Sequence, residues 1–411
     1  MVSSIRDNTI APSTPDNRIL SIDVLRGFAV LGILIMNIQS FSMIFEAYMN
    51  PTAYGDLNGL NKWIWILSHL LANEKFMTIF SMLFGAGILL FIDKARTSNR
   101  RPGPLHYRRN FWLLLFGMVH AYLIWYGDIL VAYSLCAFLV YVFRNKKPST
   151  LLILGLIFFF IPVFIYLFFG FSLQFWPEEQ LEASKQNWKP GIEAIQKEIE
   201  IMQGSWTEQM GKRVETTLFM QTFLFFIYMF WRVTGLMLIG MALYKWKVLS
   251  AERSTKFYTK MLFIGLILGY SIVGYGIFKN FRMNWAYEYS MFIGSQYNYI
   301  ASVLVSLGYI GLIMLICKSS GFKWFKDIFS AVGKMAFTNY ILMSLICTFI
   351  FYGHGLGMYG QVERTGQILM VLGIWIFIMI LSPIWLKYFR FGPLEWLWRS
   401  LTYWKIQPMK K

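Results

Sequence analysis

The chain has 411 residues, 57% of them apolar and 14% charged, with 19% aromatic residues and a net charge of +17. A soluble domain carries about a quarter charged residues, so this composition excludes a string of soluble domains. Apolar runs of about 18 residues or more recur along it, each long enough to cross some 30 Å of hydrocarbon. Because lipid offers a bare backbone no hydrogen-bond partner, the expected fold class is all-α: a polytopic transmembrane helical bundle.

In chain order, residues 1–18 are polar, carry Pro12 and Pro15, and read as a cytoplasmic tail. The first apolar run, Ile19–Ile44, is too long for a signal-peptide core and has no small-residue cleavage site after it, so it is expected to stay as an anchor. Leu60–Ala72 presents Trp63, Ile64, Leu67, Leu70 and Leu71 on one face and predicts an interfacial helix. Further spans are expected over Phe76–Ile92, Asn110–Tyr126, Asp128–Phe143 and Thr150–Phe171, which complete a five-span N-terminal part, 19–171. Residues 172–216 interrupt the pattern with Trp176, Trp188, Trp206 and many charges. Within them Ile192, Ile195, Ile199 and Met202 recur at helical spacing, which predicts one amphipathic helix on the membrane surface or over the bundle. The C-terminal part, 217–411, is expected to span at Leu218–Tyr244, Phe257–Phe278, Tyr297–Cys317, Phe329–Tyr352 and Gln367–Leu386. That makes about ten spans in all.

Alternate loops hold the basic residues: Arg96, Arg100, Arg101, Arg108 and Arg109, then Arg144, Lys146 and Lys147, then Lys245, Lys247 and Arg253, then Lys318, Lys323 and Lys326. The positive-inside rule puts this set and both termini in the cytoplasm. The net positive charge follows from that asymmetry and from anionic lipid, so no nucleic-acid partner is expected. Cys136, Cys317 and Cys347 all fall in apolar runs, which predicts neither a disulfide framework nor a metal site.

Polar groups inside spans are costly in lipid, and each one marks a candidate site. The first span carries Asp23, Arg26 and Asn37 in "SIDVLRGFAVLGILIMN". Arg26 and Asn37 lie about 16 Å apart along a helix and on nearly the same face. The third span carries His120, at a depth like that of Asn37, with Asp128 after it; along one straight helix those two would stand about 12 Å apart. Arg232 lies mid-span, and Lys75 stands at the outer mouth of the second span, where it could meet an acceptor.

These stretches, with "EKFMTIFSMLFGAGILL", "GMVHAYLIWYGDIL", "RVTGLMLIGMALYK", "AVGKMAFTNYILMS" and "FRFGPLEWLWRSLTY", resemble the YeiB family of bacterial polytopic membrane proteins from residue 22 to 403. The N-terminal part is also similar, through "DVLRG", to the transmembrane acyltransferase superfamily that includes heparan-alpha-glucosaminide N-acetyltransferase. In the bacterial O-acetyltransferases of that superfamily a His follows the Arg where this chain has Asn37.

The resemblance implies a bacterial plasma-membrane acyltransferase. It would take acyl-CoA (acetyl-CoA) as donor, use no metal, and accept on a surface glycan or lipid-linked acceptor among membrane lipids. A homodimer stays open. On this reading His120 is the base or transient acyl carrier, Asp128 its orienting carboxylate, and Asn37 lies near the carbonyl. Arg26, with Asp23 and Arg232, serves the CoA side, and Lys75 the acceptor. The alternative is a transporter or a lipid- or quinone-binding protein without catalysis. Pro162 and Pro383 are the only mid-span breakers that speak for it.

Overall fold

The computed structural model describes residues 19–411; the tail expected over 1–18 lies outside them. Among the described residues the chain is helical, with no strand beyond one isolated bridge between Phe389 and Lys410.

The central element is α1 (Leu20–Ser42), apolar on nearly every side and free of Pro. Of its most apolar window 72% is buried. A turn at 45–48 and the interfacial α2 (Gly59–Leu71) lead into α3 (Lys75–Thr97). Next come α4 (Pro102–Val119), α5 (Leu130–Val140) and α6 (Pro148–Ser172). Pro102 and Pro148 open their helices at positions where a missing N–H costs nothing.

The expected amphipathic helix is α8 (Ile192–Gln203); a second helix, α7 (Glu178–Trp188), precedes it across the break at Pro190-Gly191. Ile195 and Met202 are buried while Ile192 stays exposed, so α8 seats only part of the expected stripe. It caps the bundle: Gln203 donates to the Tyr359 carbonyl at 2.7 Å, and Gly353 N–H to the Met202 carbonyl at 3.0 Å. The next helix, α9 (Gln209–Phe219), starts before the expected span and continues as a π-helical stretch, Met220–Met229, into α10 (Phe230–Lys245).

The remainder is α11 (Thr255–Arg282), α12 (Ser295–Lys318), α13 (Lys323–Lys334), α14 (Ala336–Phe351), α15 (Arg364–Tyr388) and the amphipathic α16 (Pro393–Tyr403). Ser254 caps α11 by accepting from Phe257 N–H at 3.2 Å. Helices α11 and α15 expose most of their apolar surface, only 28% and 22% of their apolar windows being buried. Ile264, Ile267, Leu268, Ile376 and Ile380 point outward from them. Such belts suit hydrocarbon and would be an aggregation hazard in water.

A helix stands at each of the ten expected segments, but among the described residues seven helices are long and apolar enough to cross a membrane, or eight if α13 and α14, bent by 79°, form one span. The shorter α5 and the Arg-bearing α4 fall outside that set. Small residues set the closest crossings. A Cβ on Gly240 would stand 1.9 Å from the Met82 carbonyl oxygen, and one on Gly85 2.0 Å from that of Met237, so α3 and α10 touch backbone to backbone. The glycines are packing contacts here, which leaves the polar side chains on those helices to form the site.

Candidate functional site

The fold-back after α4 makes the first feature. His120–Ile124 form a π-helical turn, Trp125 is extended, and Trp125 N–H returns to the His120 carbonyl at 2.8 Å. The Trp125 ring stacks on Phe41 with centroids 3.9 Å apart, which anchors the reversal to α1. Reversal brings Asp128 back to its helix of origin: its Oδ2 lies 2.7 Å from His120 Nδ1. Its Oδ1 accepts from Val131 N–H at 2.8 Å, where the first turn of α5 offers a free donor and the positive end of its dipole. Both side chains are 1% exposed. His120 Nε2 has no hydrogen-bond partner, and the imidazole lies against the Tyr340 ring.

Beside this pair lies a cavity of about 340 Å³. One wall carries Asn37 and Ser40 from α1 with Tyr126, Asp128 and Tyr340; His120 stands behind Asp128, not on the wall. Apolar lining comes from Ile33, Met36, Phe76, Met77, Met220 and Leu224. A second polar group in the lining is Glu74, Asn73, Tyr228, Asn298 and Tyr299. Trp188 and Trp285 also line it, and Trp188 Nε1–H donates to the Trp285 carbonyl at 2.7 Å. The cap also fixes the 45–48 turn. Glu198 accepts from Phe45 N–H at 3.2 Å and from the Tyr359 hydroxyl at 2.9 Å, and pairs with Lys212 at 2.8 Å. In that turn burial, and after it the Glu198 charge, pushes the Glu46 carboxyl above its ordinary range.

The second polar group belongs to a buried charge network. Glu74 sits in the left-handed region at φ 66°, strain that a non-glycine residue adopts only when its surroundings impose it. Its carboxylate accepts from the Tyr228 hydroxyl, from Asn298 Nδ2 at 3.2 Å, and pairs with Arg232 Nη2 at 3.5 Å. Arg232 is fully buried; it donates to Thr78 Oγ1 at 3.0 Å and Ser302 Oγ at 2.9 Å and lies over the Tyr299 ring at 4.3 Å. Lys75 is fully buried as well, donating to Asn298 Oδ1 and, at 2.9 Å, to the His69 carbonyl near the C-terminus of α2. The expected outer-mouth lysine is therefore inside the bundle, because α3 begins at Lys75 and turns it toward α12.

At the other end of α1, Arg26 pairs with Asp23 at 2.8 Å and is about a third exposed. Arg109 lies within electrostatic reach of both Arg26 and Arg399, and its guanidinium rests over Trp398 at 4.5 Å and Phe91 at 4.9 Å. Three helices thus bring arginines to the basic end of the bundle.

The structure joins His120 to Asp128 and sets Asn37 on the same cavity as Asp128. Arg26 and Asp23 stand apart at the basic end, and Arg232 and Lys75 join a network that Glu74 organises. Sequence reading passed over Glu74 and Asn298. The signal for Glu74 was the polar trio Asn73-Glu74-Lys75 at the head of a span, and for Asn298 an amide at the start of an apolar run. No group of three or more His, Cys, Asp or Glu able to hold a metal ion occurs among the described residues.

Residues 243–405 match a family model described as a protein of unknown function, DUF418. The chain is 31% identical over 396 residues to "Uncharacterized protein YeiB" of Escherichia coli (strain K12), covering 94% of this chain and 96% of that one. It is 31% identical over 426 residues to "Uncharacterized protein YxaH" of Bacillus subtilis (strain 168), covering 98% and 99%. No solved structure matches it. With such identity over nearly its whole length, and with apolar helices throughout, this multi-pass membrane protein belongs to the YeiB family.

Proposed function

We propose that the protein transfers an acyl group, acetyl in the simplest case, from acyl-CoA held at the basic end of α1 to an acceptor in the cavity. The buried His120–Asp128 pair, with its carboxylate on the cavity wall, carries this reading. The acceptor oxygen bonds to the thioester carbonyl carbon, and its proton goes to the Asp128–His120 pair. The carbon–sulfur bond then breaks, and the leaving thiolate takes that proton as free CoA. Asn37, which lines the same cavity as Asp128, would donate to the carbonyl oxygen as charge develops on it. Arg26, Arg109 and Arg399 supply planar donors for the CoA phosphates. Arg26→Ala should lower acyl-CoA affinity about tenfold or more in the purified protein; unchanged affinity removes the donor site.

The proposal places the basic end in the cytoplasm of a bacterial plasma membrane and the α7–α8 cap outside. Cysteines introduced at Ser98 and Ser184 should then label from opposite sides, Ser184 from outside in intact cells. Labelling of both from outside contradicts the orientation.

A second reading, an amphiphile-binding or transport protein without catalysis, is favoured by one observation. The side chains of His120 and Asp128 are each only 1% exposed, so proton exchange with an acceptor needs the 125–129 turn to shift. Acyl-CoA binding separates the two readings.

A further inference from the structure

We infer that the cavity takes a single-chain amphiphile with a neutral, hydroxyl-bearing head, which enters sideways from the membrane past Phe219. The inference deepens the acceptor side of the proposed function, but binding alone tests it, with no donor present.

The cavity's wall toward lipid is one unusual helical segment. Met220–Met229 is π-helical for ten residues, where π geometry normally lasts a single turn and marks functional sites. Met220, Leu224 and Tyr228 face the cavity, while Phe223 and Phe226, 54% and 67% exposed, face outward from the same segment. Just before it, Phe219 does both: it lines the cavity and is 42% exposed. The interior therefore reaches the protein surface at Phe219, whose only ring contacts are Phe45, at 6.3 Å, and Phe223 among the described residues. One aromatic side chain separates hydrocarbon from an apolar interior, which is a route for an acyl or prenyl chain and a poor one for a free polar solute.

The head end follows from Glu74. Its carboxylate is 18% exposed, against 1% for Asp128, so it is the acid that an occupant meets first. Asn298, Tyr228, Asn73 and His69 line the cavity around it. The Glu74 charge is already met by Arg232, and the Lys75 ammonium by the carbonyl at the C-terminal end of α2. An anionic head would face the Glu74 carboxylate, and a cationic one would compete with Arg232. What the lining lacks is hydrogen-bond donors for three amide oxygens, Asn73 Oδ1, Asn280 Oδ1 and Gln296 Oε1, each buried without a partner. Hydroxyl groups supply donors without charge.

Dodecyl glucoside carrying a diazirine in its chain, photolysed in proteoliposomes of the full chain, tests this. Label should appear on the peptide spanning Met220–Met229. Excess dodecyl glucoside should suppress it, and equal amounts of dodecyl phosphate, dodecyltrimethylammonium or free glucose should not. Glu74→Gln should reduce the competable labelling about tenfold. Should that variant fail to fold, Met220→Trp, which fills the chain end, should abolish the labelling while keeping the wild-type gel-filtration profile. Labelling confined to lipid-facing Phe164 and Phe168, or suppressed equally by all competitors, overturns the inference. Loss of acyl transfer with this labelling intact would count against the acyltransferase reading alone.

Discussion

Replacing Arg232 by Leu is expected to lower stability by about 3–5 kcal/mol, the range for leaving one member of a buried ion pair without its partner. Arg232 is enclosed by Thr78, Ser302, Tyr299 and Glu74. Its removal leaves the Glu74 carboxylate with only the Tyr228 hydroxyl and the Asn298 amide as partners. Thermal unfolding in mild detergent should show the loss. Arg232→Leu combined with Glu74→Gln should recover part of it, since both charges are then gone. A single variant as stable as the parent would mean that Arg232 does not hold Glu74.

Asp128→Asn carries the largest expected effect on activity, a fall in acyl transfer of about 10²–10⁴. The amide oxygen can still accept from Val131 N–H, so the start of α5 stays capped and the melting temperature should hardly move. The variant loses the carboxylate oxygen that accepts from and orients the His120 imidazole. Asp128→Ala adds loss of the cap, about 1 kcal/mol. Because the imidazole is reached through Asp128, His120→Ala should fall in the same range, and the double variant should be no worse than either single one. Full activity in Asp128→Asn would reduce the pair to a structural hydrogen bond that fixes the fold-back.

Much of this architecture was legible in the sequence, because lipid imposes a simple rule of helices with apolar runs. The interfacial α2 and the positions of ten helices followed from periodicity and run length. The outer helix expected from the Ile stripe is α8; α7 before it was not legible, because none of its residues is buried and its sequence carries no apolar stripe. The His120–Asp128 contact could not be counted off a helix of 1.5 Å rise per residue. It depends on the turn through Trp125 and Gly127, and that turn is set by a ring stacking on Phe41, 84 residues earlier in the chain. The Glu74 network was hidden for a related reason. Its members come from α3, α10, α12 and the π-helical stretch, and nothing local signals that Thr78, Arg232 and Asn298 converge. Arg26 was legible as a cation, but its company with Arg109 and Arg399 required α16 to dock on α4, where Trp398 Nε1–H donates to the Arg109 carbonyl at 2.8 Å.

The most direct measurement follows acetyl groups from radiolabelled acetyl-CoA in proteoliposomes prepared with native membrane lipids. The donor is supplied on the side of Ser98, and Asp128→Asn serves as the matched control. The account predicts that label leaves CoA and appears in the lipid-extractable fraction with the parent protein and at background with the variant. Equal label in the two, or none with the parent while acetyl-CoA also fails to raise its melting temperature, would contradict acyl transfer as its function.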